Sequence, residues 1–95
     1  MTSEGSTSAT VVVINPSGLH ARPCHALVSL ALKHGADLSI SYGGRTVNGK
    51  SILELMTLNA AQGAELTLQA DGEGGAALLA EMAELFADGF GELQH

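Results

Sequence analysis

The sequence predicts an α/β chain of the α+β kind, an open-faced two-layer sandwich in the order βαββαβα. Helices cover one face of a mainly antiparallel sheet and the other face is wet. Three observations carry this. Val11-Val12-Val13-Ile14 is a β-branched run closed by turn residues. Two segments, Leu38 to Tyr42 and Ala64 to Ala70, alternate apolar with polar. Two others, Cys24-Leu27-Val28-Ala31 and Leu78-Leu79-Met82-Leu85-Phe86, repeat apolar residues at helical spacing. With 95 residues there is chain for one core. Hydrophobic residues at 45% against charged residues at 15% favour a folded chain over a disordered one.

Taken in order, Met1 to Ala9 is mostly Ser, Thr and Gly, so residues 1–9 are expected to be a flexible tail before a domain at 10–92, with a short tail at 93–95 that contains His95. From Thr10 the β-branched run is a buried strand, ended by Asn15-Pro16-Ser17-Gly18. Ala21 to His34 has no internal Gly and keeps its Pro23 in the first turn, where a missing N–H is harmless. It is a helix, with Lys33 and His34 suited to its negative pole and Gly35 as its stop. Gly43-Gly44 joins Leu38–Tyr42 to Arg45-Thr46-Val47 as a hairpin. Ser51 to Leu58 is a short helix, with Leu55 and Leu58 on one face and Ile52 and Met56 on another. After the last alternating strand, Asp71 to Gly75 is a turn-rich link into the final helix, whose Glu81, Glu84 and Asp88 lie away from its apolar stripe.

Ten acidic against four basic side chains give a net charge of -6, which repels phosphate backbones and anionic membranes. With no Trp, one Tyr and two Phe there is little for base stacking, so neither a nucleic-acid nor a membrane partner is expected. No apolar run approaches a bilayer span or a signal peptide, and the single Cys suits a reducing compartment; a cytoplasmic protein is the expectation.

Chemistry concentrates at the mouth of the first helix. The imidazole of His20 offers a ring-nitrogen lone pair to an electrophile. If the electrophile is a phosphoryl group, the product charge falls where helix N–H groups and the positive helix pole favour it. Arg22 adds a planar fork of donors for phosphate oxygens, and Gly18 lets backbone approach closely. On composition and spacing alone, a His20 that merely caps the helix beside a solvated Arg22 stands as the alternative. Cys24 at the centre of the apolar face reads as a buried inert thiol, with an oxidant-sensing thiol as the other option. His20, Cys24 and His25 lack a fourth ligand at zinc spacing, so no metal is expected.

The wording of this region resembles a known family. Gly18-Leu19-His20-Ala21-Arg22-Pro23 after Asn15-Pro16-Ser17 is similar to the phosphorylation site of HPr, the histidine-containing phosphocarrier of the bacterial phosphotransferase system. Val47-Asn48-Gly49-Lys50-Ser51-Ile52, Gln62-Gly63-Ala64-Glu65-Leu66 and Phe86 to Glu92 resemble its later segments, in the same order over roughly residues 10 to 92. The resemblance implies four antiparallel strands with three helices. It implies a relay without turnover of its own, in which His20 becomes a pros-phosphohistidine, phosphorylated at Nδ1 by enzyme I and then donating to IIA domains of sugar permeases. Arg22 would contact the phosphoryl group, and Ser17, Gly18, Ala21 and Arg22 would form its binding loop. Ser51 would match a serine modified by a dedicated kinase in some relatives; its other reading is a helix cap. Ile52, Leu53 and Met56 would form the partner-docking patch, although Leu53 also reads as core and Glu54 is unhelpful on an acidic partner. Cys24 stands where the family usually has alanine.

No bound metal or organic cofactor is implied, since phosphoenolpyruvate belongs to the donor enzyme, and a small relay is expected to be a monomer. Leu85-Phe86-Ala87-Asp88-Gly89-Phe90 resembles the nitrogen-related branch, which serves regulation, while Lys50-Ser51 leans to the sugar branch. A binding-only regulatory module is the alternative of another class, against which the retained His20 and Arg22 argue.

Overall fold

The computed structural model describes residues 6–91. Four strands, β1 (Ser6–Val12), β2 (Asp37–Tyr42), β3 (Arg45–Asn48) and β4 (Glu65–Asp71), form one antiparallel sheet in the order β1-β4-β2-β3. Three helices, α1 (Ala21–Leu32), α2 (Ile52–Met56) and α3 (Gly75–Ala87), cover one face, and a 3-10 turn follows at Gly89–Gly91. The expected order and layering are the observed ones.

Alternation explains the layers. Leu66, Leu68 and Ala70 of β4 are buried while Glu65, Thr67, Gln69 and Asp71 are exposed. Beneath the helices they join Ile40, Leu27, Leu78, Met82 and Phe86 in the core. On the open face Thr10, Thr67, Ser41 and Thr46 lie in register across all four strands, and the Ser41 and Thr46 hydroxyls are 2.8 Å apart. This uncharged polar row is what a solvated face of short side chains looks like. The β2–β3 turn uses Gly43 and Gly44 at φ 60 and 85, both in the left-handed region that a two-residue hairpin turn of this hand requires.

Several boundaries differ from expectation: α2, expected over Ser51 to Leu58, is Ile52–Met56 with Ser51 as its N-cap, and β4 is shifted by one residue from Ala64–Ala70. β1 starts at Ser6, so residues 6–9, expected as tail, are strand: Ser6 to Ala9 pair with Asp71 to Leu68 through backbone groups, which needs no apolar side chain. Residues 1–5 and 92–95, including the expected domain end and tail, lie outside the described residues. The β1 assignment ends at Val12, yet Val13 still donates to Ala64 O at 2.9 Å and accepts from Gly63 N at 2.7 Å. α1 ends at Leu32 rather than His34; Lys33 is its C-cap, and the His34 imidazole instead reaches Glu81 of α3 at 3.2 Å.

One loop determines where α1 begins. The Gly18 N–H donates to Asn15 O at 3.1 Å, closing a four-residue turn, and the Asn15 Nδ2 returns a hydrogen bond to Gly18 O at 2.8 Å. Asn15 is fully buried. Leu19 N–H then donates 2.8 Å to Ala60 O, in the chain leaving α2. Gly18 sits so close to that chain that an added Cβ would lie 2.6 Å from Ala60 O, at a φ of +70.

Two outcomes follow from this packing. Gly18→Ala is expected to destabilise by about 2 kcal/mol or more in chemical denaturation, because it adds both a backbone clash and an unfavourable φ; a change within about 0.5 kcal/mol would show that the loop yields freely. Cys24 is fully buried, and that desolvation pushes its thiol up to about 11, which leaves little thiolate at neutral pH. Iodoacetamide at pH 8 should therefore label native protein at least about a hundredfold more slowly than protein in denaturant; equal or faster native labelling would mark a reactive thiol.

Candidate functional site

His20 occupies the N-cap position of α1, with extended backbone at φ -97 and ψ -168, and its side chain makes no cap hydrogen bond. The reading in which His20 serves the fold as a helix cap therefore fails on geometry. Its backbone is nonetheless fixed: N–H to Gly18 O at 3.0 Å, and O accepting from Cys24 N at 3.1 Å, the first full turn of the helix. The side chain is half-buried, and a depression of about 300 Å³ opens beside it, lined by Ser17, Leu19, His20, Met56, Asn59, Ala60 and Ala61.

The local electrostatics come from the helix. In the first turn Ala21, Arg22 and Pro23 have no intrahelical carbonyl to donate to, and Pro23 has no N–H. Two amide donors remain, those of Ala21 and Arg22, at the positive end of a 12-residue helix. No acidic residue lies in that first turn, and the Arg22 side chain is exposed directly after His20 and Ala21. Ser17 is exposed on the loop, whereas Gly18 is buried beneath it. The four positions expected to bind phosphate thus come together on one loop and one helix start. The arrangement can hold a dianion beside a nucleophilic imidazole, each charge-assisted hydrogen bond stronger than a neutral one.

α2 supplies the neighbouring surface. Ser51 is its N-cap: the Ser51 Oγ accepts from Glu54 N at 3.2 Å, and the Glu54 carboxylate accepts from Asn48 N at 3.0 Å. This is close to a capping box, so Ser51 has a structural use that the sequence already offered. Arg45 holds the far end of the helix, donating to Thr57 O at 2.8 Å and to Thr57 Oγ1 at 2.9 Å. Leu55 turns into the core and Ile52 is partly buried, but Leu53 is 80% exposed and Met56 39%. Leu53 does not belong to the core, since it projects from α2 on the side opposite Leu55. Ile52 and Met56, four residues apart, share a side of the helix, and Met56 borders the His20 depression.

Two residues matter here that the sequence reading passed over. Asn15 looked like one of several turn residues, and its burial under the loop carries no local signal. Asn59, at φ +52, turns the chain out of α2 so that Ala60 O reaches Leu19. The only available cue was that Asn tolerates the left-handed region better than other side chains. Among the described residues no helix is long and apolar enough to cross a membrane.

Comparison with known proteins agrees with this geometry. A family model described as "PTS HPr component phosphorylation site" matches residues 7–88. A phosphocarrier protein HPr of Chlamydia muridarum is 34% identical over 90 residues, which is 95% of this chain and 86% of that protein. Among solved structures, an HPr from Thermoanaerobacter tengcongensis superposes with a TM-score of 0.86 at 31% identity, covering 90% of this chain and 97% of the other. A phosphocarrier protein HPr from Bacillus anthracis gives 0.82 at 31% identity, over 87% and 99% of the two chains. A match along most of the chain, with the same fold, has one reading: the chain belongs to the HPr family of phosphocarriers of the phosphotransferase system.

Proposed function

We propose that this chain relays a phosphoryl group through His20, taking it from phosphorylated enzyme I and giving it to IIA domains of sugar permeases. The observation that supports this most is the position of His20. It is an N-cap residue whose side chain is not spent on capping, set against two amide donors and Arg22. In the accepting step a His20 ring nitrogen, taken as Nδ1, attacks phosphorus. A new P–N bond forms, the donor's P–N bond breaks, and its electron pair returns to the donor nitrogen. Charge on the transferring group spreads over three oxygens. The Ala21 and Arg22 amides and the Arg22 guanidinium stabilise that charge without moving, with Ser17 at the edge of the loop. The transferred group stays covalently on nitrogen, so the protein is a carrier and not a catalyst with turnover.

Ile52, Leu53 and Met56 form the docking surface in this reading. An exposed leucine and a flexible methionine next to the nucleophile suit a carrier that must fit more than one partner. Ser51 is a modification site only if a phosphate there displaces the Glu54 arrangement, because the dianion would face a carboxylate tied to the same loop. A cytoplasmic location follows from the partners.

The test is intact-mass and peptide mapping at alkaline pH after mixing the protein with phosphoenolpyruvate and enzyme I of either the sugar or the nitrogen branch. One acid-labile phosphoryl group on His20 is expected, and the faster donor identifies the branch. His20→Ala should abolish acceptance while changing stability by less than about 2 kcal/mol; a larger loss of stability would give His20 a structural role. Arg22→Ala should slow transfer about tenfold or more with folding unchanged, read from kcat/KM, and transfer at the original rate would remove Arg22 from the mechanism.

A further inference from the structure

The depression beside His20 is lined from two parts of the chain, Ser17, Leu19 and His20 from the loop into α1, and Met56, Asn59, Ala60 and Ala61 from the end of α2 and the chain after it. In the second of these parts Met56, Ala60 and Ala61 have only hydrocarbon and thioether side chains, so Asn59 is its one lining residue with a polar side chain. Asn59 is exposed, and its backbone N–H donates to Met56 O at 3.3 Å.

The backbone at Asn59 stands at φ +52. Phe90 is the other described non-glycine residue with a positive φ, and there the ring meets Phe86 edge-on at 4.9 Å, a packing reason for the conformation. Asn59 is instead exposed, at the point where the chain turns out of α2. A bare need for the left-handed conformation is met with less strain by glycine. What asparagine adds is a carboxamide, at the rim of the reacting site, in a conformation of the sort that concentrates at functional positions.

We propose that Asn59 is a specificity-determining residue of phosphoryl transfer, its carboxamide being the polar group that a docked partner meets at the rim of the depression it shares with His20. The proposal rests on the phosphocarrier reading. Transfer brings the partner's phosphohistidine against His20, and the partner's surface then covers the depression. A carboxamide both donates and accepts, so it can pair with a polar group of the partner without presenting an anion to the phosphoryl group in passage. An aspartate of the same shape only accepts and carries that anion.

The experiment is steady-state transfer from phosphorylated enzyme I to the full chain and to Asn59→Gly and Asn59→Asp, with thermal unfolding of each. Asn59→Gly relieves the backbone, so its Tm should equal or exceed that of the parent. Its KM for the phosphorylated donor should nevertheless rise at least threefold, with kcat within twofold. Asn59→Asp should raise KM at least tenfold. KM values within twofold of the parent for both variants would overturn the proposal, as would a glycine variant whose loss appears in kcat alone or whose Tm falls by more than 5 °C. A parent protein that takes no phosphate on His20 would instead refute the phosphocarrier reading, which separates the two failures.

Discussion

The site depends on one backbone contact between distant parts of the chain, the hydrogen bond from Leu19 N–H to the carbonyl of Ala60. It joins the loop before α1 to the chain leaving α2, and it is short because Gly18 has no side chain to hold the two apart. Around it the remaining elements act as supports. Asn15 closes the loop from beneath. Val13 exchanges hydrogen bonds with Gly63 and Ala64 on one side. Arg45 pins Thr57 on the other. Asn15, Val13, Gly63, Ala64, Arg45 and Thr57 have no part in the proposed transfer itself, yet together they decide where an imidazole stands relative to a helix end.

Electrostatics sharpen the division of labour. The chain is acidic as a whole, at -6, and its proposed cargo is an anion. Such a protein can carry that cargo only where its own field is locally reversed. The first turn of α1 is such a place, with no carboxylate, two amide donors and a guanidinium. The acidic side chains Glu81, Glu84 and Asp88 lie instead along α3, whose buried residues are Leu78, Leu79, Met82 and Phe86. The Cys24 thiol, buried and held protonated, keeps a potentially competing nucleophile out of reach one turn below His20.

Much of this was legible in the amino-acid order because it is written locally. The apolar spacing of Leu27, Val28 and Ala31 and of Leu78, Met82 and Phe86 specified two helices, and the alternation from Ala64 to Ala70 specified a strand and its inward face. The His20 segment was legible through its resemblance to a family. What stayed hidden depends on partners far along the chain. Ser6 to Ala9 look like linker because a strand held by backbone bonds to β4 needs no pattern of its own. Asn15 is a core residue only because other elements close over it. Leu53, by contrast, was expected on an exposed patch with core as its other reading, and it is exposed, since a five-residue helix has too little surface to bury a second face.

The pairing of β1 with β4 has a consequence in time. Its partners stand far apart in the chain, Ser6 against Asp71 and Val12 against Glu65. The loop that presents His20 leaves β1 and is held by Ala60, so it cannot take its final shape until the segment after α2 has been made and docked. Contacts of such long sequence separation form late, after the entropy of closing the intervening chain has been met. A growing chain on the ribosome therefore exposes His20 early but assembles its surroundings late. The surroundings of His20 are complete only once the sheet itself is complete.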